Sequence, residues 1–273
     1  MIMNRLTMLA VTLMASIACF AQGKSATTIE SGKQVGDIFD YLELKYKVLD
    51  NSAGYQVEVI GFADAFEADP TLFETSDEIK AEHTVYIPHY IGESTDVAVK
   101  VHVSNVADGA LNTDNTDLAA EVTALIIDYI DNDKTQGIAM TIGDNAFAAL
   151  TSLATVESFI PGAKVDVLPG DAFAASVYKS ATLMVPASSD PEDHTNLLAY
   201  GKTESWNKFY LKTDGSITLG DPSGDGKINA SDVKAIRALI VNKTYDVAAD
   251  LNGDNKVNAS DLKIMRQIIV KTY

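Results

Sequence analysis

The sequence predicts an α+β, multidomain chain: a short β-rich repeat array followed by a small all-α domain. Two observations carry that expectation. An apolar motif recurs in the middle of the chain, with the pairs Ala146–Phe147 and Ala172–Phe173 lying 26 residues apart. Near the C-terminus, DPSGDGKINASD (Asp221 to Asp232) and DLNGDNKVNASD (Asp250 to Asp261) are copies of one twelve-residue loop, identical at eight positions. Apolar residues at helical spacing follow each copy: Val233, Ile236, Leu239 and Ile240, then Leu262, Met265, Ile268 and Ile269.

Residues 1–21 read as a secretory signal. Arg5 supplies a charged start, an apolar run extends from Leu6 to Ile17, and small residues precede Gln22. The run is shorter than the ~20 residues that a bilayer-spanning helix needs. Cleavage after Ala21 would leave an exported chain, secreted or at the cell surface. A competing reading anchors it by lipid at Cys19, the only cysteine, but Ser16 stands where a lipobox wants Leu or Val. Once Cys19 is removed, no disulfide is available to the mature chain. No other segment is apolar enough to cross a membrane, so the chain is expected not to be transmembrane.

The net charge is −17. Residues 221–273 hold seven Asp against eight Lys or Arg, so the negative charge belongs almost wholly to residues 22–220. An acidic surface repels phosphate backbones, which excludes nucleic acid as a partner.

Residues 22–100 are expected to form a β-rich segment leading into repeats over 101–212. The best copy is TIGDNAFAALTSLATVESFIPG (141–162); VDVLPGDAFAASVYKSATLMVP (165–186) and VHVSNVADGAL (101–111) are weaker ones. A unit of this size cannot bury its own apolar face, so neighbours must stack. Ile142, Gly143, Ala146, Phe147, Leu153 and Val156 match the pattern of BspA-like leucine-rich repeats, with Leu150 in place of the usual Cys. Residues 40–210 resemble that family of bacterial surface proteins, although the insert 111–137 breaks the period. The resemblance implies a leucine-rich-repeat array that recognises a protein or glycan ligand. Tyr86, Tyr90, Tyr178, Tyr200 and Trp206 are the aromatics that would serve such a ligand if exposed. Within the insert, Leu118 to Ile130 has apolar spacing compatible with a helix.

Residues 213–220 are expected to link this part to the two loops. Each loop sets oxygen-bearing side chains at positions 1, 3, 5, 9 and 12: Asp221, Ser223, Asp225, Asn229 and Asp232, then Asp250, Asn252, Asp254, Asn258 and Asp261. Position 7, Lys227 and Lys256, would add a backbone carbonyl. Hard Ca²⁺ takes six to eight oxygens, and this spacing can wrap one ion per loop, two in all. Position 6 must turn with φ > 0, which Gly226 and Asn255 tolerate. Ile228 and Val257 at position 8 are expected to pair the loops through a short β-bridge. Both loops end in Asp where an EF-hand ends in Glu, and no helix-like segment leads into the first. Residues 221–273 therefore resemble a type I dockerin, a calcium-folded module that binds cohesin domains. That resemblance implies a cohesin-facing surface at Ala230–Ser231 and Ala259–Ser260, whose duplication would permit two pseudo-symmetric binding modes.

No catalytic motif emerges. His83, His89, His102 and His194 lack the spacing of a zinc site, and there is no nucleophile elbow or phosphate-binding loop. The expected function is that of an exported, non-catalytic binding or adhesion protein, attached through a calcium-dependent module. Two other readings stay open: a purely structural calcium module, and an accessory or enzymatic member of a polysaccharide-degrading assembly.

Overall fold

The computed structural model describes residues 33–51, 56–68, 83–91, 101–129, 140–188, 193–213 and 217–270. The expected signal, residues 1–21 with Cys19, lies outside them. Two sheets organise residues 38–213. The first begins with an antiparallel meander of β1 (Ile38–Tyr41), β2 (Leu44–Asp50) and β3 (Gln56–Phe62). Alternation along β2 buries Leu44, Tyr46 and Val48 and leaves Lys45 and Lys47 part-exposed, the period-2 signature of a half-buried strand. A short helix α1 (Asp64–Ala68) follows. Then β3 pairs in parallel with β6 (Val101–Val106), which also takes β5 (Tyr90–Ile91) antiparallel and β8 (Thr141–Ile142) parallel.

The second sheet is parallel throughout, in the order β11 (Tyr210–Thr213), β10 (Thr182–Val185), β9 (Thr155–Ser158), β7 (Ala124–Ile127) and β4 (Thr84–Ile87). Its register aligns Val85, Leu125, Val156, Leu183 and Leu211 in one buried row. Each such side chain contributes about 1.5–3 kcal/mol of burial, which makes the row a spine of the core. Three helices lie between or after these strands: α2 (Thr116–Glu121), α3 (Ala175–Ser180) and α4 (Thr195–Lys202). Asn115 starts α2 by accepting the Leu118 N–H at 3.1 Å. The helical spacing from Leu118 yields only that helix, because the β-branched pair Ile126–Ile127 enters strand β7.

The recurring Ala–Phe pairs do come together. Leu111 N–H donates to the Ala146 carbonyl and Phe147 N–H to the Ala172 carbonyl, both at 2.8 Å. The Phe147 and Phe173 rings lie 4.8 Å apart, and Phe209 meets Phe173 edge-on at 5.1 Å. Trp206, Tyr200 and Tyr178 are buried, at 1 %, 0 % and 4 % exposure. Trp206 Nε1 donates to the Asp166 carbonyl and the Tyr200 hydroxyl to that of Ile160, each at 2.9 Å. Tyr86 and Tyr90 are half-buried. None of the five is exposed, and they do not form an open ligand platform.

The expected fold class is corrected. A leucine-rich-repeat array demands a fixed period, but the parallel strands begin at 84, 124, 155, 182 and 210, and the strands of the other, mixed sheet of six are interleaved with them along the chain. The C-terminal part is not a separate all-α domain either, because its helical elements share a core with the strands. It holds α5 (Ala230–Asn242), α6 (Ala259–Val270) and a 3-10 turn (Val247–Ala249), separated by two long loops. Ile236, Ala249, Leu251 and Met265 belong to the same apolar cluster as the β-strands. The expected linker also carries structure, since Lys212 and Thr218 form an antiparallel bridge and Leu219 N–H donates to the Leu211 carbonyl at 3.0 Å.

Candidate metal centre

Each duplicated loop winds around its own carboxylates, and both use one hydrogen-bond plan. At position 1, Asp221 accepts from the backbone of Asp225 (3.2 Å) and Gly226 (2.8 Å), while Asp250 accepts from Asp254 (3.1 Å) and Asn255 (2.9 Å). At position 5, Asp225 and Asp254 accept from Lys227 and Lys256 at 2.9 and 3.0 Å. Position 9 accepts from position 11 in both loops: Asn229 from Ser231 and Asn258 from Ser260, at 2.8 Å each. At position 12, Asp232 accepts from Ser223 (3.3 Å) and Asn229 (2.7 Å), and Asp261 from Asn252 (3.3 Å) and Asn258 (2.9 Å). Position 6 is left-handed in both, Gly226 at φ +78° and Asn255 at +60°.

The last two positions have a second task. Asn229 is the N-cap of α5, and Asp232 closes a capping box with it. Asn258 and Asp261 repeat these bonds at the start of α6. A carboxylate oxygen that accepts one N–H keeps another lone pair, so capping leaves ligating capacity. Ile228 and Val257 form no bridge between the loops; both are half-buried and pack against the apolar cluster. Ala230–Ser231 and Ala259–Ser260 are exposed in the first turns of α5 and α6.

The donor set fits calcium. Asp232, Asp250 and Asp261 are all 0 % exposed, and carboxylates are buried this way when a cation or strong donors compensate them. Burial raises the Asp261 carboxyl above its ordinary value, with the nearby Asp250 charge adding to the rise against the backbone N–H bonds. Without a cation the charged form is thus disfavoured. Among the described residues no three His, Cys, Asp or Glu side chains gather as a metal-holding group. Each loop instead interleaves carboxylates with hydroxyl, amide and carbonyl oxygens, the hard mixed set that Ca²⁺ takes and softer metals do not.

Two contacts at the second loop have no counterpart in the motif. The Tyr245 hydroxyl donates to Asp250 Oδ2 at 3.2 Å, and Tyr245 is pushed up to about 12, first by burial and then by the Asp250 charge. Lys202, which ends α4, packs its stem against Gly253. An aromatic five residues ahead of position 1 was the only sequence sign of the first contact; nothing local signals the second.

Other ionisable groups sit apart from the loops. His89 and His102 are buried within an aromatic group, His89 stacked on Tyr129 at 4.7 Å and His102 edge-on to Tyr90 at 4.5 Å. His83 Nδ1 lies 2.7 Å from Glu121, and His194 sits at the start of α4. Glu43 is pushed up to about 7, chiefly by burial. Its Oε1 accepts the Tyr86 backbone N–H at 3.3 Å, and the Tyr86 hydroxyl donates to Asp128 at 2.6 Å.

No curated protein and no solved structure matches the chain. The resemblance of residues 40–210 to BspA-like repeats gains no support from the family comparison, whose match lies in the C-terminal segment. Residues 219–270 match the type I dockerin domain, so the doubled loops and their helices form a domain of that family, whose members are calcium-binding attachment modules of the cellulosome type that bind cohesins.

Proposed function

We propose that this chain is an exported, non-catalytic binding protein whose dockerin holds two calcium ions and attaches it to a cohesin-like protein, while residues 38–213 take a protein or glycan ligand. The observation that carries the reading is the hydrogen-bond plan shared by the two loops, which supports two sites of one design. Asp221, Ser223, Asp225, the Lys227 carbonyl, Asn229 and Asp232 would hold one ion. Asp250, Asn252, Asp254, the Lys256 carbonyl, Asn258 and Asp261 would hold the other. Bound calcium supplies the positive charge that the clustered carboxylates lack, and so couples ion binding to folding. The exposed Ala230–Ser231 and Ala259–Ser260 pairs support a partner surface, because small side chains at a helix start let another backbone approach closely.

The non-catalytic reading draws on Glu43. A carboxyl near 7 suits an acid catalyst, but this one is engaged by the Tyr86 backbone, a structural partner. Calorimetric titration of the full chain with calcium, followed by pull-down of a cohesin panel in calcium and in EGTA, tests the proposal. Two ions per chain and EGTA-sensitive capture are expected. A single ion, or capture indifferent to EGTA, would refute the attachment mechanism, and turnover in a hydrolase screen would refute the non-catalytic role.

A further inference from the structure

We propose that the second calcium loop, more than the first, is coupled to the β part of the chain, so that gain or loss of its ion tightens or loosens the α4–β11 end of the parallel sheet. This rests on the calcium reading above. The loops differ in surroundings, not in design. Asp250, Leu251 and Gly253 are buried, whereas the equivalent Asp221 and Pro222 are half-buried and Gly224 is exposed. A Cβ added at Gly224 would meet nothing within 4 Å; one added at Gly253 would overlap the Lys202 side chain.

Three contacts build that junction. Lys202, the last residue of α4, covers Gly253. Gly220 N–H donates to the Ala248 carbonyl at 2.8 Å, two residues before the second loop opens. Leu219 fills the space beside Gly201, where an added Cβ would come within 2.8 Å of its methyl. Leu219 is in turn hydrogen-bonded to Leu211 of β11. The return strand 217–219 thus ties β11 to the entrances of both loops, since Asp221 N–H of the first donates to the Thr218 carbonyl at 3.0 Å, but α4 leans on the second loop alone. An ion that orders the loop must by linkage favour the contacts that only the ordered loop makes. Opening free energies then rise together across the joined elements.

Hydrogen exchange on the full chain, read by mass spectrometry in calcium and in EGTA, tests this on the wild type, Asp225→Ala, Asp254→Ala and Lys202→Ala. The first two variants change the same exposed loop position. In calcium, Asp254→Ala should speed exchange over residues 195–213 by about tenfold, while Asp225→Ala changes those residues far less and loosens chiefly its own loop. Lys202→Ala, which touches no ligand, should shrink the calcium-dependent protection of 195–213 while both ions still bind. Calorimetric titration of the same samples separates the failures. A wild type that binds no calcium overturns the underlying reading. Calcium binding with equal effects of Asp225→Ala and Asp254→Ala on 195–213, or with none from either, overturns the coupling alone.

Discussion

The two duplicated loops share eight of twelve residues and one hydrogen-bond plan, yet the second has three of its first four residues buried and the first has none. The comparison separates two determinants that a motif merges. Residue type at fixed offsets sets the turn, the caps and the direction of the carboxylates, and these agree between copies. Burial comes from neighbours outside the motif, here α4, the 3-10 turn and the return strand after β11. On the coupling proposed above, the same set of side chains would report mainly on its own loop in one copy and on the rest of the molecule in the other.

Abolishing both loops at once should have the largest effect. Asp232→Ala with Asp261→Ala removes a ligand and a capping box from each helix, and lost caps alone cost about 1 kcal/mol apiece. We expect α5 and α6 to lose their cooperative unfolding transition in calcium, as chelation should also produce in the wild type. Calorimetry and far-ultraviolet circular dichroism read this, and an undisturbed transition would sink the dual role given to position 12.

Splitting the pair comes next. In millimolar calcium, Asp250→Ala should cost about 2 kcal/mol and Asp221→Ala about 1, because the buried Asp250 carboxylate leaves part-buried N–H groups without an acceptor, whereas those on Asp221 are exposed and can turn to water. Denaturant titrations giving equal costs would show that the difference in burial has no energetic weight.

A control remote from both loops sharpens the comparison. The Glu43 carboxyl is raised in the folded chain to about 7, so its protonated form is favoured there. That stability is complete below the unfolded carboxyl's range and is lost as pH climbs through about 7. Glu43→Gln should therefore leave stability at pH 5 nearly unchanged and exceed the wild type at pH 8 by about 1–2 kcal/mol, discounted for residual water contact. The gain should be the same in calcium and in EGTA; a gain that depended on the metal would join Glu43 to the loops, against the present picture.

The smallest effect belongs to Tyr245. Tyr245→Phe removes the hydroxyl from Asp250 and should weaken the second site several-fold, about 1 kcal/mol, without touching the first. Competition against a calcium-sensitive dye resolves the two sites, and equal weakening of both would contradict the assignment.

What the sequence made legible follows the same division. Ligand offsets, left-handed turns at Gly226 and Asn255 and helices beyond each loop are local, and they can be read from the duplicated twelve residues. The neighbouring of the Ala146–Phe147 and Ala172–Phe173 pairs was legible from their recurrence. The architecture around them was not: chain entering as β1–β3 pairs with β6 far along the sequence, and that partnership leaves no periodic trace. Trp206, Tyr200 and Tyr178 could be named only as ligand contacts if exposed, because their acceptors, the carbonyls of Asp166, Ile160 and Pro169, lie at offsets that no local pattern marks. Lys202 could not be connected with Gly253 by any offset within a motif.

The return of residues 217–219 along β11 has a consequence for the molecule among its own kind. A parallel sheet ends in a row of unpaired backbone groups, and an uncovered edge is a template on which another chain can add a strand. Here residues 217–219, which lead into the dockerin segment, lie over part of that edge. Cutting the chain ahead of Ile217 would remove the module and its cover together, leaving a β fragment with an edge open to self-association.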